Sequence, residues 1–226
     1  VGFLQNIDIA TVAIQFVVLL FSLSIHEASH AWMADRMGDY TARYLGRVTL
    51  NPIPHIDPIG TILFPLLMFF TSIPIIGWAK PVPINPAHLR NPRKDNIYIS
   101  LSGPAANLLA GFSAFAVLLV LRIADPNLML ALFSRAPGND TILTPVVLIL
   151  YYLFFINIAL ALFNCIPIPP LDGHWVLYGV LSDDAAAALE RIGRYGFLIL
   201  YALMFMGVFR YLFIPINLLS VLLIPS

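Results

Sequence analysis

The chain has 226 residues, of which 60% are hydrophobic and only 11% charged, and its mean hydropathy is +0.88. A soluble domain averages about 45–50% apolar and about 25% charged, so the composition excludes an ordinary soluble enzyme and predicts a polytopic membrane protein. The formal net charge is zero and Cys165 is the only cysteine, which leaves no basic face for nucleic acid and excludes an internal disulfide or a CxxC metal site.

The stretch from Val1 lacks the cationic region of a cleavable signal peptide. The first apolar run, Ile9 to Met33, is long enough to span a bilayer. A polar segment follows with Arg36, Arg43, Arg47 and the turn-rich "NPIPHIDPIG". Within it, "YTARYLGRVTLNP" places β-branched and aromatic residues around Gly46, which predicts a short membrane-associated β-hairpin. The second apolar run, Ile59 to Trp78, is interrupted by Pro65 and Pro74, and "KPVPINPAHLRNPRKD" after it is too proline-rich for a helix.

The third run, Ile97 to Leu121, opens with "SLSGPAANLLAG"; a loop with Arg122, Asp125, Arg135 and Asp140 leads to the fourth, Ile142 to Phe163. That run ends in "NCIPIPPLDGHW", and a small-residue stretch, "SDDAAAALERIGRYG", precedes two shorter runs, Phe197 to Phe209 and Leu212 to Ile224. The expected architecture is therefore all-α: a single membrane-embedded domain over 1–226 with about five to six membrane segments, the hairpin and a re-entrant segment. Its catalytic core falls at about 9–175 and its additional helices at about 184–225.

The first run carries its own chemistry. "HEASH" at 26–30 is the H-E-x-x-H pattern: residues four apart share a helix face, so His26 and His30 can present two imidazoles to one ion with Glu27 beside them as general base. A bland reading, histidines bonded to headgroups or water at a helix end, leaves three polar groups in an apolar helix uncompensated. Each such ionisable residue costs about 2.5–3.5 kcal/mol even on the lenient insertion scale. A catalytic Zn²⁺ takes three protein ligands and keeps a position for water. Asp172, in a proline-broken turn past the fourth run, is a candidate for the third; an ordinary turn aspartate before Gly173 is the equal alternative. His174, His55, Asp57 and His88 are rivals in turn-rich segments, while Cys165 stands alone.

Together "HEASH", "NCIPIPPLDG" at 164–173 and "SGPAAN" at 102–107 resemble the site-2 protease family of intramembrane zinc metalloproteases (peptidase M50 type). "GRVTLNPIPHIDPIGT" and "GWAKPVPINP" resemble the branch without a PDZ insertion. The resemblance implies that His26, His30 and Asp172 ligate one Zn²⁺ per chain, that Glu27 activates the zinc-bound water, and that Asn107 polarises or holds the scissile carbonyl. Read structurally, Asn107 could instead be a membrane asparagine tying helices together. The substrate would be a transmembrane or membrane-anchored protein within a lipid bilayer. Metal-ion transport and a non-catalytic metal-binding scaffold are the competing classes. A transporter has no need of Glu27 between the ligands, and no inverted repeat is visible.

If one ion joins the first helix to Asp172, the ends of the first and fourth runs share a membrane side, and residues 38–95 must leave and return to it. Run two then cannot be a simple span. Re-entry puts Arg36, Arg43, Arg47, Lys80, Arg90, Arg93 and Lys94 on one side against Arg122 and Arg135, a bias that places the site toward the cytoplasmic half of a multi-pass cell-membrane protein.

Overall fold

The structure is a computed structural model describing residues 9–71, 76–126, 128 and 143–224, without the side chains of 69 and 70. Pro74, Arg135, Asp140 and Ile142 lie outside the described residues.

Among the described residues, three helices are long and apolar enough to cross a membrane: α1 (Ile9–Met37), α4 (Pro92–Ala124) and α5 (Thr144–Asn164). Between α1 and α4 lie a single turn, α2 (Thr41–Tyr44), and a short apolar helix, α3 (Phe64–Thr71). After α5 come α6 (Asp172–Val180), α7 (Asp183–Gly193), α8 (Gly196–Phe205) and α9 (Phe213–Val221). At 1.5 Å per residue, α8 and α9 rise only about 15 Å each, half the bilayer's hydrocarbon core. They are bent by 79° across Gly207, which takes φ +73°. The described residues thus hold three spans, or four if the bent pair counts as one, and not the expected five to six.

The three long helices form one bundle. Phe115 and Leu118 of α4 pack on Val147, Phe154 and Ile158 of α5, with Ile216 of α9 closing the cluster. Small residues let the backbones approach: a Cβ on Gly111 would lie 2.8 Å from Ile158. Helix α4 starts at an Asn91 cap whose side chain accepts from the Lys94 N–H, with Pro92 at its first position.

Run two folds back on itself. The Trp78 N–H donates to the Gly60 carbonyl (3.3 Å), the Thr61 hydroxyl to the Trp78 carbonyl (2.8 Å), and the Lys80 N–H to the His55 carbonyl (2.9 Å). The residues that lead into the run and those that leave it are hydrogen-bonded neighbours, a geometry no single straight span allows.

The expected β-hairpin is absent, for the described residues contain no strand. Gly46 takes φ +67° and Ile53–His55 is a 3₁₀ turn, with the Ile53 N–H satisfied by the Asn51 side chain rather than by a ladder. Pro52 and Pro54 have no N–H to offer a partner strand. What joins "GRVTLNP" to the later proline-rich stretch is a side chain. Arg47, only 5% exposed, donates to the carbonyls of Lys80 (2.5 Å) and Pro81 (3.2 Å).

A polar clasp secures the loop beyond α1. Asp39, fully buried, accepts from the Thr41 hydroxyl and N–H, the Asn85 N–H (2.7 Å) and His88 Nδ1 (3.1 Å). Burial by itself would raise its carboxyl pKa; these donors reverse that and hold it below the usual value of 3.8. Because the folded pKa is depressed, the stabilisation is present above about pH 4 and lost as pH falls through the folded value. Thermal unfolding in detergent should show an acid-side decline that Asp39→Asn flattens while lowering the midpoint at neutral pH. An unchanged acid limb in that variant would remove Asp39 as its source.

Candidate metal centre

The C-terminal third of α1 faces inward: His26, Glu27 and His30 are 5%, 8% and 7% exposed. Asp172 reaches them because the Pro167–Pro170 turn ends helix α5 and starts α6 at that residue. Gly173 carries no Cβ where the Cys165 carbonyl presses against it.

The geometry at the convergence is specific. His26 Nε2 lies 3.0 Å from His30 Nε2 and 3.0 Å from Asp172 Oδ2, and His30 Nε2 lies 3.3 Å from the same oxygen. Both Nδ1 atoms are engaged behind the rings: His30 Nδ1 with the Ile99 carbonyl (2.7 Å) and His26 Nδ1 with Asn107 Oδ1 (2.6 Å). Those oxygens only accept, so each Nδ1 carries its ring's proton and each Nε2 presents a lone pair. No donor reaches Asp172 Oδ2 either. With both rings neutral in that tautomer, three lone pairs converge on one point, a donor set suited to a cation at its centre.

The spacing fits Zn²⁺. Ligands about 2.0–2.1 Å from a tetrahedral zinc lie about 3.3–3.4 Å apart, close to the 3.0–3.3 Å found here. Among the described residues, His26, His30 and Asp172 are the group that could hold a metal. The rival ligands are engaged elsewhere. His55 meets Thr49 and Arg47, His88 meets Asp39, and Asp57 caps a π-helical turn. His174 packs against Trp175 and Tyr178.

Burial pushes the His55 imidazole below its ordinary value, partly offset by the bond to the Thr49 carbonyl. The ring therefore stays neutral, its Nε2–H donating to Thr49 (2.9 Å) and its Nδ1 accepting from Arg47 (3.3 Å).

Glu27 stands beside the cluster, its Oε2 accepting from the Val82 N–H at 3.2 Å. Both open onto a cavity of about 520 Å³ lined by Leu23, Trp78, Val82, Ser100, Phe163 and Trp175 among others. Residues 76–79, 81, 82 and 84, outside any helix, supply one wall.

Several participants were not evident from the sequence. Gly103 is the point where α4 meets the imidazoles, and a Cβ there would lie 2.5 Å from His30 Nε2. Asn157 and Ser22 are fully buried; Asn107 donates to the Asn157 side chain and the Ser22 carbonyl, and Asn157 donates to the Ser22 hydroxyl. Asn157 did leave a signal: a lone amide in "LYYLFFINIALALF", costly in a membrane helix unless bonded.

A two-histidine, one-carboxylate donor set with an adjacent glutamate, inside a bundle of membrane-length helices, defines a membrane-embedded metallohydrolase. Residues 14–207 match the peptidase family M50. The chain is similar to "Putative zinc metalloprotease YwhC" of Bacillus subtilis (strain 168), with 37% identity over 187 residues, 83% of this chain and 78% of that one. It is also similar to "Putative zinc metalloprotease Rip2" of Mycolicibacterium smegmatis (31% identity; 82% of this chain, 64% of the relative) and of Mycobacterium tuberculosis H37Rv (27%; 81% and 63%). No solved structure matches the chain. The chain belongs to peptidase family M50: it is a zinc metalloprotease of the site-2 protease type and a multi-pass membrane protein.

Proposed function

We propose that this protease cleaves peptide bonds of membrane-spanning or membrane-anchored proteins, with His26, His30 and Asp172 holding one Zn²⁺ and Glu27 as general base. The observation that carries the reading is the meeting of His26 Nε2, His30 Nε2 and Asp172 Oδ2 within 3.3 Å of one another beside the buried Glu27 carboxylate. Bound there, zinc would lower the pKa of its water and polarise the substrate carbonyl. Glu27 takes a proton on its carboxylate and passes it to the leaving amine.

Asn107 acts in this reading by orienting His26. Its oxygen accepts from the imidazole, its Nδ2 donates to Ser22 O and Asn157 Oδ1, and it has no exposed surface. That placement favours a positioning role over contact with the scissile carbonyl.

A helical substrate hides its carbonyls in its own hydrogen bonds, so it must be unwound, and an extended wall can hold it by strand addition. At the 80–82 wall most groups are already bonded: the Lys80 N–H to His55, both Lys80 and Pro81 carbonyls to Arg47. The Val82 N–H is the donor poised to exchange partners, leaving Glu27 for a substrate carbonyl and freeing the base at the same moment. The doubled-back run two supports re-entry, with the site toward the cytoplasmic half. Cysteine accessibility that put positions 43 and 93 on opposite faces would overturn the re-entry.

The test is a purified-protein measurement of zinc per chain and of cleavage of a single-span peptide. One zinc and cleavage are expected for the wild type, and neither for Asp172→Ala. Retention of stoichiometric zinc by Asp172→Ala would remove Asp172 from the ligand set.

A further inference from the structure

Behind the metal-facing edge of His26 runs a chain of hydrogen bonds through all three long helices. Ser22 donates its hydroxyl to the Val18 carbonyl (2.8 Å). Asn157 Nδ2 donates to Ser22 Oγ (2.8 Å) and to the Leu153 carbonyl (2.8 Å). Asn157 Oδ1 accepts from Asn107 Nδ2 (2.7 Å), which also donates to the Ser22 carbonyl (3.2 Å). Asn107 Oδ1 then accepts from His26 Nδ1 (2.6 Å). Ser22, Asn107 and Asn157 all have 0% exposure, so water cannot substitute for a missing member.

The chain has only one workable direction. Val18, Leu153 and Ser22 contribute backbone carbonyls, which accept and never donate. Turning the Asn107 amide over would aim its oxygen at both Asn157 Oδ1 and the Ser22 carbonyl. Turning Asn157 over as well would aim its oxygen at the Leu153 carbonyl. With both amides locked, the atom facing His26 is an acceptor, and Nδ1 of that ring must carry the proton. The lone pair is thereby committed to Nε2, the atom facing His30 and Asp172. A neutral imidazole without such a partner divides between two tautomers, one of which points N–H at the metal position.

We propose that Asn157, oriented by Ser22, is a positioning residue that holds His26 in its metal-binding tautomer by fixing the amide of Asn107. Sequence distance conceals the arrangement: Ser22, Asn107 and Asn157 come from α1, α4 and α5 and meet only when the bundle assembles. The second imidazole needs no such device, because a backbone carbonyl of Ile99 already meets its Nδ1. His26 has a side-chain amide in that place, which could be turned either way, and the buried chain removes the choice.

The inference rests on His26 being a metal ligand, and the experiment separates the two. Zn²⁺ affinity is measured by chelator competition on folded, detergent-solubilised protein, and the His26 tautomer by ¹³C/¹⁵N-histidine spectra of the metal-free protein. Asn157→Leu should weaken Zn²⁺ binding by about 10–100-fold, as loss of an outer partner of a metal-ligating histidine does, and show His26 in both neutral tautomers. Ser22→Ala should move both readouts the same way by less. Phe154→Leu, on the same helix but outside the chain, should lower the unfolding temperature and leave both readouts alone. Should Asn157→Leu fail to fold, Ser22→Ala decides. A single Nδ1–H tautomer in the folded variants, or wild-type Zn²⁺ affinity in them, overturns the proposal. Wild-type Zn²⁺ binding by His26→Ala would instead overturn the ligand assignment, whatever the tautomer.

Discussion

Glu27→Gln should reduce cleavage of a single-span peptide by about 10²–10⁴-fold, the range for loss of a general acid–base group, while leaving zinc content at the wild-type level. The substitution preserves shape and an acceptor for the Val82 N–H, which Glu27 Oε2 holds at 3.2 Å, so the wall of the cavity should stay in place. It removes only the capacity to take a proton. The group that could hold a metal consists of His26, His30 and Asp172 without Glu27, which is why zinc should persist. Measured together, turnover and zinc content discriminate sharply. Loss of both would make Glu27 a structural member of the centre, and cleavage at the wild-type rate would end its assignment as base.

Gly103→Ala should nearly abolish tight zinc binding without touching a ligand. A Cβ at that position would lie 2.5 Å from His30 Nε2, 2.6 Å from His30 Cε1 and 2.7 Å from His26 Cε1, well inside van der Waals contact. The rings cannot retreat without breaking the Nδ1 bonds to Ile99 and Asn107 that stand behind them. Either the imidazoles rotate away from the metal position or α4 shifts outward. Overpacking of this kind costs about 1–3 kcal/mol of stability, and disturbed ligand geometry should weaken Zn²⁺ by at least about 10–100-fold. Leu109→Ala, on a 72% exposed position of the same helix, supplies the comparison. Equal Zn²⁺ affinities in the two variants would show that α4 does not constrain the rings.

The two substitutions probe parts of the site that differ in how far the sequence revealed them. "HEASH" was legible because its meaning is local: a four-residue interval on a helix places both imidazoles on one face whatever else the chain does. Asp172 was half legible. Its proline-rich turn showed a chain free to double back, yet His174, His55, Asp57 and His88 stood in similar turns, and only the distances exclude them from the cluster. The hairpin failed for the converse reason. Its β-branched and aromatic residues satisfied a strand pattern, but a strand needs a partner, and this segment's contact with residues 80 and 81 runs through the Arg47 side chain. The segment count failed because apolar runs register hydrophobicity and not direction: Gly207 bends the last pair of short helices, whereas the return of run two followed from placing His26, His30 and Asp172 on one side.

The sequence by itself determined the solvent, the metal chemistry and the family. Hydrophobic content sets the membrane environment, and the character and local spacing of His26, Glu27 and His30 set the donor chemistry. Tertiary structure decided which carboxylate meets the two imidazoles, which oxygens stand behind their Nδ1 atoms, and that Gly103, Asn157 and Ser22 lie against them or their partners. Those features depend on contacts between α1, α4, α5 and the turn before α6, residues more than eighty positions apart in the case of His26 and Asn107. Hydrogen-bond direction and van der Waals exclusion act over a few ångströms of space, and no interval along the chain encodes them.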